Sequence, residues 1–221
     1  RAVADGWRVE MHNPPNRISE LDFRVPGDVS SAAFLLASAV LGGTAASLDI
    51  VGVGLNPTRT AFLEVLERMG AEITVETDAD DENLEARGMV SASLSSLTGT
   101  HVGAAEVPRM IDELPLVAVL GARAQGETSI RGAQELRAKE SDRIDAVVRN
   151  LRVLGVDVEE HEDGLIVLGS DRPLNGRVEA FDDHRIAMAF TIAGLLTSEK
   201  NTFCGIFSLN NSPLKPSILR C

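Results

Sequence analysis

The chain has 221 residues, a formal net charge of −12, and a composition that is 44% hydrophobic but only 4% aromatic. This length allows one large domain or two small ones around an aliphatic core, and the acidity excludes a general nucleic-acid binder, which would need a basic surface. The two cysteines, Cys204 and Cys221, are too few for a disulfide framework or a zinc site and fit a reducing cytoplasm.

No apolar run reaches about 18 residues, so we expect neither a transmembrane helix nor a membrane partner. The chain opens on Arg1 rather than methionine, and its first residues run directly into strand-like sequence. We therefore expect a fragment or a processed chain.

An internal repeat organises the sequence. Residues 25–50 and 107–132 both open on Val-Pro, carry an aspartate near the start of a long apolar segment, and continue through a glycine–threonine turn into a short strand. Residues 56–76 and 139–160 continue the two copies, and a third, shorter copy covers 181–203. Because the period exceeds that of the common solenoid repeats, each copy is predicted to be a small α/β module.

Each copy is predicted to begin with a helix that is apolar on almost all sides and is therefore buried. These helices are expected at 29–41, 112–124 and 183–196. Asp28 is the expected N-cap of the first, and a Gly-Gly pair ends it.

A second, amphipathic helix follows in two copies, at 59–69 and 140–154, where apolar residues recur at helical spacing. Gly70 and Gly155 are the expected C-terminal caps. Strands are predicted at 71–76, 89–95, 156–160 and 164–169.

Two connections between strands can also be predicted. Asp163-Gly164 is a hairpin signal, and the acidic stretch 78–88 is expected to be an exposed loop. Each copy therefore contains a helix, a strand, a second helix, another strand and a hairpin strand. The predicted fold class is α/β, with pseudo-threefold repetition around buried helices.

Charged residues gather where the helices begin. The three buried helices each start beside an aspartate: Asp28, Asp112 and Asp183. If the copies are related by rotation, their N-termini point the same way and form an edge that attracts anions. The segment 139–143, Lys-Glu-Ser-Asp-Arg, starts a second helix on the equivalent edge.

The aspartates and the 139–143 segment also have structural interpretations. Asp28 is best explained as an N-cap, whereas a cap and a functional role explain Asp112 equally well. In 139–143, Ser141 could cap the helix, and the glutamate and arginine could form a surface pair at i,i+3.

The Asp-Asp-His-Arg segment at 182–185 is harder to explain structurally. His184 could be an ordinary hydrogen-bonded histidine and Arg185 a surface cation. An arginine that leads directly into a buried helix is unusual, however. Three such sites on one edge favour a function that handles charged ligands.

Five motifs carry a family resemblance: VPGDVSSAAFLLA, GLNPTRTAFLEVLERMGA, PRMIDELPLVAVLGARAQGETSIRGAQELRAKESDRIDAVV, EDGLIV and DDHRIAMA. In this order and spacing, over residues 6–196, they resemble the EPSP synthases, or 3-phosphoshikimate 1-carboxyvinyltransferases. The resemblance implies a protein about twice this length, with two similar domains. Each domain has three βαβαββ units around buried parallel helices, an inverse α/β barrel. Residues 1–221 would then be one of these domains, with 1–24 a remnant leading from the other.

The resemblance implies a shikimate-pathway enzyme that moves the enolpyruvyl group of phosphoenolpyruvate onto the 5-hydroxyl of 3-phosphoshikimate and releases phosphate. No metal and no organic cofactor are implied. The attacking hydroxyl needs a base, and the methylene carbon needs an acid. Carried over by motif, Asp112 is the implied proton acceptor, and Glu140 is the implied carrier of the proton to and from the methylene.

The implied substrate-binding residues are cationic or lie beside cations. Both substrates carry phosphate and carboxylate groups, which guanidinium groups bind well in two-point contacts. The resemblance implies that Lys139 contacts 3-phosphoshikimate, together with Asp112, and that Arg143 and Arg185 hold phosphoenolpyruvate. Asp183 and His184 would have supporting roles on the same side of the binding site.

The tail at 197–221 departs from the family pattern, which places a substrate-binding lysine there. Lys200 and Lys215 do not match that lysine in spacing or context. Glu135 lies where some relatives have a substrate-contacting asparagine, and no role is implied for it. Because the N-terminal half of the family's enzymes is also missing, we expect this chain alone to bind weakly and turn over poorly.

Two alternatives remain open at this point. One is a related UDP-N-acetylglucosamine enolpyruvyl transferase, which shares the fold and the donor substrate. The other is a non-enzymatic fragment, binding or structural, in which the fold survives while the chemistry is lost. Titration with 3-phosphoshikimate, with and without the phosphoenolpyruvate mimic glyphosate, would discriminate between an active-site wall and an inert module.

Overall fold

The computed structural model describes the residues 10, 24–42, 47–78 and 85–195, and the backbone of 2–3 and 6–7. The predictions for the tail at 197–221, for most of the remnant at 1–24 and for the middle of the acidic stretch at 78–88 lie outside these residues. None of the helices in the described part has the length and hydropathy that crossing a membrane requires.

The predicted helices are present, with somewhat different ends. The α-helices in the described residues are α1 (Val29–Val40), α2 (Ala61–Arg68), α3 (Leu114–Gly121), α4 (Arg143–Val153) and α5 (His184–Gly194). As predicted, Asp28 caps α1 by accepting from the backbone N–H groups of Ser30 and Ser31. Gly70 and Gly155 follow α2 and α4 with φ of +90° and +79°, a left-handed backbone that favours glycine after a helix.

The strands are also close to their predicted positions. They are β1 (Ala2–Val3), β2 (Gly6–Trp7), β3 (Ser47–Gly54), β4 (Ile73–Thr77), β5 (Arg87–Ser93), β6 (His101–Val102), β7 (Glu127–Ile130), β8 (Asp157–His161) and β9 (Gly164–Leu168). The hairpin between β8 and β9 is confirmed, but Gly164 already pairs with His161. Its turn is therefore Glu162–Asp163, one residue earlier than predicted.

The sheets show that two copies share one topology. In the first copy the strand order is β3-β5-β4, and in the second it is β6-β7-β9-β8, so that β3, β5 and β4 correspond to β7, β9 and β8. A parallel partner precedes the buried helix in both: Gly27 bridges to Val53 of β3, and β6 pairs in parallel with β7. Both copies are therefore βαβαββ units, which confirms the predicted α/β repeat.

The buried helices form the centre of the described region. Helices α1, α3 and α5 contact one another, and α3 is buried along its whole length. Helices α2 and α4 are amphipathic and place Phe62, Leu66, Ile144 and Leu151 in the same core. Side-chain contacts join the first turn of α1, the turn before α3 and the N-cap of α5, so the three helices begin at one edge, where the charged segments meet.

Candidate active site

Arg143 lies at the centre of the charged edge. It is the first residue of α4, only 3% of it is exposed, and a buried arginine requires ionic partners. Its Nε donates to Asp183 Oδ2 at 2.7 Å, and its Nη2 donates to Asp183 Oδ1 at 3.3 Å. This two-point pair joins α4 to α5.

Asp183 is fixed by its own helix as well as by Arg143. It is the N-cap of α5, and it accepts from the backbone N–H groups of Arg185 and Ile186. Burial by itself would raise the pKa of Asp183, but the hydrogen bonds and the charge of Arg143 outweigh burial, so the pKa is lowered. Asp183 is therefore held as a carboxylate.

The backbone that leads to Asp183 adopts an uncommon conformation. Phe181 and Asp182 have φ of 54° and 55°, in the left-handed region that few residues other than glycine adopt. Such conformations persist where surrounding contacts enforce them. Arg149 lies over the Phe181 ring at 5.0 Å and provides one such contact. This turn directs the Asp183 side chain toward Arg143.

Asp112 is surrounded by three guanidinium groups. Its Oδ1 accepts from Arg143 Nη1 at 3.2 Å, and its Oδ2 lies 3.7 Å from Arg185 Nη2 and 3.9 Å from Arg59 Nη2. The interpretation of Asp112 as an N-cap is wrong, because α3 begins at Leu114 and its cap position is occupied by the next residue. The Asp112 carboxylate instead faces these guanidinium groups, with which it forms a charged cluster, and it is 28% exposed.

Glu140 and His184 form the exposed side of the cluster. Glu140 Oε2 lies 2.8 Å from His184 Nδ1 and 3.9 Å from Arg143 Nη2. The predicted i,i+3 pair of Glu140 and Arg143 is therefore present, but it lies neither within the helix, which begins at Arg143, nor wholly on the surface, because Arg143 is buried. Glu140 lies in the turn before the helix, where its half-exposed carboxylate can reach a ligand.

The remaining residues of the 139–143 segment have roles that the sequence did not indicate. Asp142, not Ser141, caps α4 by accepting from a backbone N–H in the first turn. The Ser141 hydroxyl donates to Asp183 Oδ2 at 3.2 Å. The Lys139 ammonium lies 2.8 Å from Glu135 Oε1, so the structure pairs this lysine with a neighbour four residues earlier.

Three residues of the cluster were missed in the sequence analysis: Ser30, Arg59 and Glu113. Arg59 Nη2 donates to the Ser30 hydroxyl at 2.8 Å. Glu113 is 2% exposed, although charged residues are seldom buried. The internal repeat held a signal for Arg59, since it precedes the second helix of its unit much as Arg143 begins the second helix of the next.

The electrostatic state of Glu113 differs from that of Asp183. Burial raises the pKa of Glu113 above its usual value; a hydrogen bond with Ser30 opposes the shift, and the negative charge of Asp112 adds to it. In the cluster, Glu113 therefore loses its proton less readily than an ordinary glutamate, whereas its neighbours Asp112 and Asp183 are paired with arginine.

Glu140, Asp183 and His184 could in principle hold a metal ion, because they offer ligand atoms within 4.8 Å of one another. However, both Asp183 oxygens already accept from the Arg143 guanidinium, and Arg143 also lies near Glu140. A divalent cation would have to displace or repel this buried positive charge. These residues fit a guanidinium better than a metal ion.

The opposite ends of the buried helices enclose a separate cavity of about 410 Å³, lined by residues that include Leu41, Arg123 and Leu195. Arg123 donates there to the carbonyls of Ser170 and Arg172. Its lining includes one arginine and one carboxylate, Arg123 and Asp171, whereas the N-terminal edge brings several of each together. The N-terminal edge is therefore the better candidate for binding polyanionic ligands and moving protons.

Comparisons with known proteins show which family this chain is similar to. The family model described as EPSP synthase (3-phosphoshikimate 1-carboxyvinyltransferase) matches residues 5–207. A protein of that name from Thermotoga sp. (strain RQ2) is 47% identical over 198 residues, which are 88% of this chain and 45% of the relative. Another, from Salinibacter ruber, is 46% identical over 186 residues, 84% of this chain and 43% of the relative. The chain thus spans about half the length of the curated relatives it matches.

Solved structures show the same likeness. An EPSP synthase from Acinetobacter baumannii aligns with a TM-score of 0.72 and 40% identity, over 79% of this chain and 40% of that one. The enolpyruvyl transferase NikO from Streptomyces tendae aligns with a TM-score of 0.57 and 24% identity, over 82% of this chain and 38% of that one. This second likeness concerns the fold alone.

Proposed function

The chain belongs to the EPSP synthase (3-phosphoshikimate 1-carboxyvinyltransferase) family, and from this premise we propose that it forms one wall of an enolpyruvyl transferase site. The reaction transfers the enolpyruvyl group of phosphoenolpyruvate to the 5-hydroxyl of 3-phosphoshikimate and releases phosphate. The opposite wall would come from the half of the family's sequence that this chain does not span. We place the activity in the cytoplasm, where both cysteines would remain reduced.

One observation carries the proposal: Asp112, Glu140 and Arg143 of the second repeat and Arg185 of the third lie in one connected cluster. The sequence motifs predict the same four residues. A cluster that combines arginines with carboxylates suits a reaction in which polyanions bind and protons move.

In the proposed reaction the two acids move protons. Asp112 accepts the proton of the attacking 5-hydroxyl, as its partial exposure permits. Glu140 delivers a proton to the methylene carbon in the addition step and removes one in the elimination step. Its contact with His184 Nδ1 supplies a polar partner for either protonation state.

The cations hold the anionic groups of the substrates. Arg185 and Arg143 bind phosphoenolpyruvate, and Lys139 binds 3-phosphoshikimate after leaving its surface partner Glu135. Arg143 already donates to the carboxylates of Asp183 and Asp112. To ligand binding it therefore contributes mainly a fixed positive charge and its Nη1 donor, which bonds to Asp112 in this structure. Asp183 keeps Arg143 in this orientation.

The proposed function is tested by isothermal titration of the chain with 3-phosphoshikimate, alone and with glyphosate. We expect weak binding that glyphosate tightens, because both ligands contact the same cationic cluster. The matched comparison is UDP-N-acetylglucosamine, which should not bind. Binding of that nucleotide sugar instead would favour the related transferase, and no binding of any ligand would favour an inert module.

A further inference from the structure

Glu113 is a buried acid that the proposed reaction does not use. It follows Asp112 directly, yet it is 2% exposed, whereas Asp112 faces the cluster. Its Oε1 atom is buried and has no hydrogen-bond partner among the described residues. Burying an incompletely hydrogen-bonded carboxyl group is costly, so its retention beside the site calls for a physical reason.

Ser30 connects Glu113 to helix α1. Ser30 lies in the first turn of α1 and is itself buried. Its hydroxyl accepts from Arg59 Nη2 at 2.8 Å, and its interaction with the Glu113 carboxyl group opposes the rise in the pKa of Glu113. A hydroxyl has one donor and two acceptor sites, so it can serve both partners at once.

Arg59 closes a ring of contacts. The nitrogen that donates to Ser30 also lies 3.9 Å from Asp112 Oδ2. The ring runs from Asp112 along the backbone to Glu113, through Ser30 and Arg59, and back to Asp112. It joins the turn before α3 to the first turn of α1 and to the segment before α2, so three elements restrict Asp112.

We propose that Ser30, Arg59 and Glu113 form a positioning ring that holds the Asp112 carboxylate in place for proton transfer. The inference rests on the proposed function, to which it adds residues that act through Asp112. Burial raises the pKa of Glu113, which suits this role: a neutral acid does not repel the adjacent carboxylate, and its hydroxyl can donate.

The ring is tested without any ligand by carbon-13 NMR of the Asp112 carboxyl group, with its signal assigned through Asp112→Asn. Ser30→Ala and Glu113→Ala should shift this signal because they open the ring. Glu113→Gln should leave it in place, because the amide is neutral and has nearly the same shape. Arg59→Met opens the ring from its exposed side, so the test does not depend on buried substitutions alone.

Ser38→Ala is the matched control. Ser38 is also buried in α1, but its hydroxyl has no hydrogen-bond partner among the described residues. Its removal should leave the Asp112 signal unchanged. An Asp112 signal that is the same in Ser30→Ala, Glu113→Ala, Arg59→Met and the unchanged chain would overturn the positioning ring, whatever the ligand affinity.

A second measurement separates this inference from the proposed function. In calorimetric titration with 3-phosphoshikimate, Ser30→Ala and Glu113→Ala should weaken binding by about tenfold, the effect of one hydrogen bond near a charged group. Glu113→Gln should restore the affinity of the unchanged chain. If the NMR signal shifts as expected but the unchanged chain does not bind 3-phosphoshikimate, the ring is supported and the proposed function fails.

Discussion

Arg143 and Asp183 form a two-point ion pair with donor–acceptor distances of 2.7 and 3.3 Å. Arg143 is 3% exposed and Asp183 is 1% exposed. The pair joins the first residue of α4 to the N-cap of α5, and the same guanidinium reaches Asp112 in the turn before α3. One buried arginine thus links the segments that carry the proposed proton acceptor and phosphoenolpyruvate ligands. Stability and site geometry therefore depend on the same contact.

Breaking this pair should destabilise the fold strongly. Arg143→Met leaves the buried Asp183 carboxylate without its cation, and the expected cost is about 3–5 kcal/mol in the free energy of unfolding. Urea denaturation measures this cost. The control is Arg87→Met, which breaks a partly exposed pair with Asp78 and should cost less than about 1 kcal/mol. Equal costs for the two variants would show that the buried pair stabilises the fold no more than a partly exposed pair does.

Asp183 should also make stability depend on pH. Its pKa in the folded chain is lowered from 3.8, so it contributes stability that is complete above the unfolded pKa and is lost as the pH falls through the folded pKa. Urea denaturation between neutral and strongly acidic pH should show that Asp183→Asn loses less stability on acidification than the unchanged chain does. Parallel stability curves for the two proteins below the unfolded pKa would contradict this prediction.

Glu113 should show the opposite dependence. Its pKa in the folded chain is raised from 4.5, so its contribution is complete below the unfolded pKa and is lost as the pH rises through the folded pKa. Relative to Glu113→Gln, the unchanged chain should therefore become less stable from mildly acidic to alkaline pH. Thermal unfolding across this range tests the sign, and a stability difference that does not vary with pH would show that Glu113 does not titrate there.

Arg185 should matter for ligands more than for stability. It is partly buried, lies 3.7 Å from Asp112 and packs 6.0 Å from the Phe34 ring centroid, but it does not form a two-point pair in the described residues. Arg185→Met should abolish the tightening of 3-phosphoshikimate binding by glyphosate while changing the melting temperature little. Arg152→Met, an exposed change on the far part of α4, should leave the tightening intact.

Local sequence patterns were sufficient to predict the repeats and most elements. Apolar periodicity and glycine caps located the helices, because buried faces and left-handed turns restrict residue choice. Asp28 was predicted as a cap because an aspartate directly before an apolar helix is a typical start signal. The motif resemblance then indicated Asp112, Glu140, Arg143 and Arg185 as members of one site, and the structure places all four in one cluster.

The remaining parts of the site depend on tertiary contacts. Asp112 could not be distinguished from a cap until the start of α3 was known. Arg59 comes from a loop of the first unit and contacts Ser30 of the same unit, and the packing of α1 against α3 brings it near Asp112. The burial of Glu113 contradicts its residue type, so a local pattern does not indicate it.

The most direct test of the central claim is backbone hydrogen exchange of the chain with and without 3-phosphoshikimate and glyphosate. The account predicts slower exchange where α3, α4 and α5 begin, in peptides that contain Asp112, Glu140 and Arg185, and no change around the cavity at the opposite ends of the buried helices. Slower exchange confined to that opposite end, near Leu41 and Arg123, or no change anywhere at saturating ligand, would contradict it.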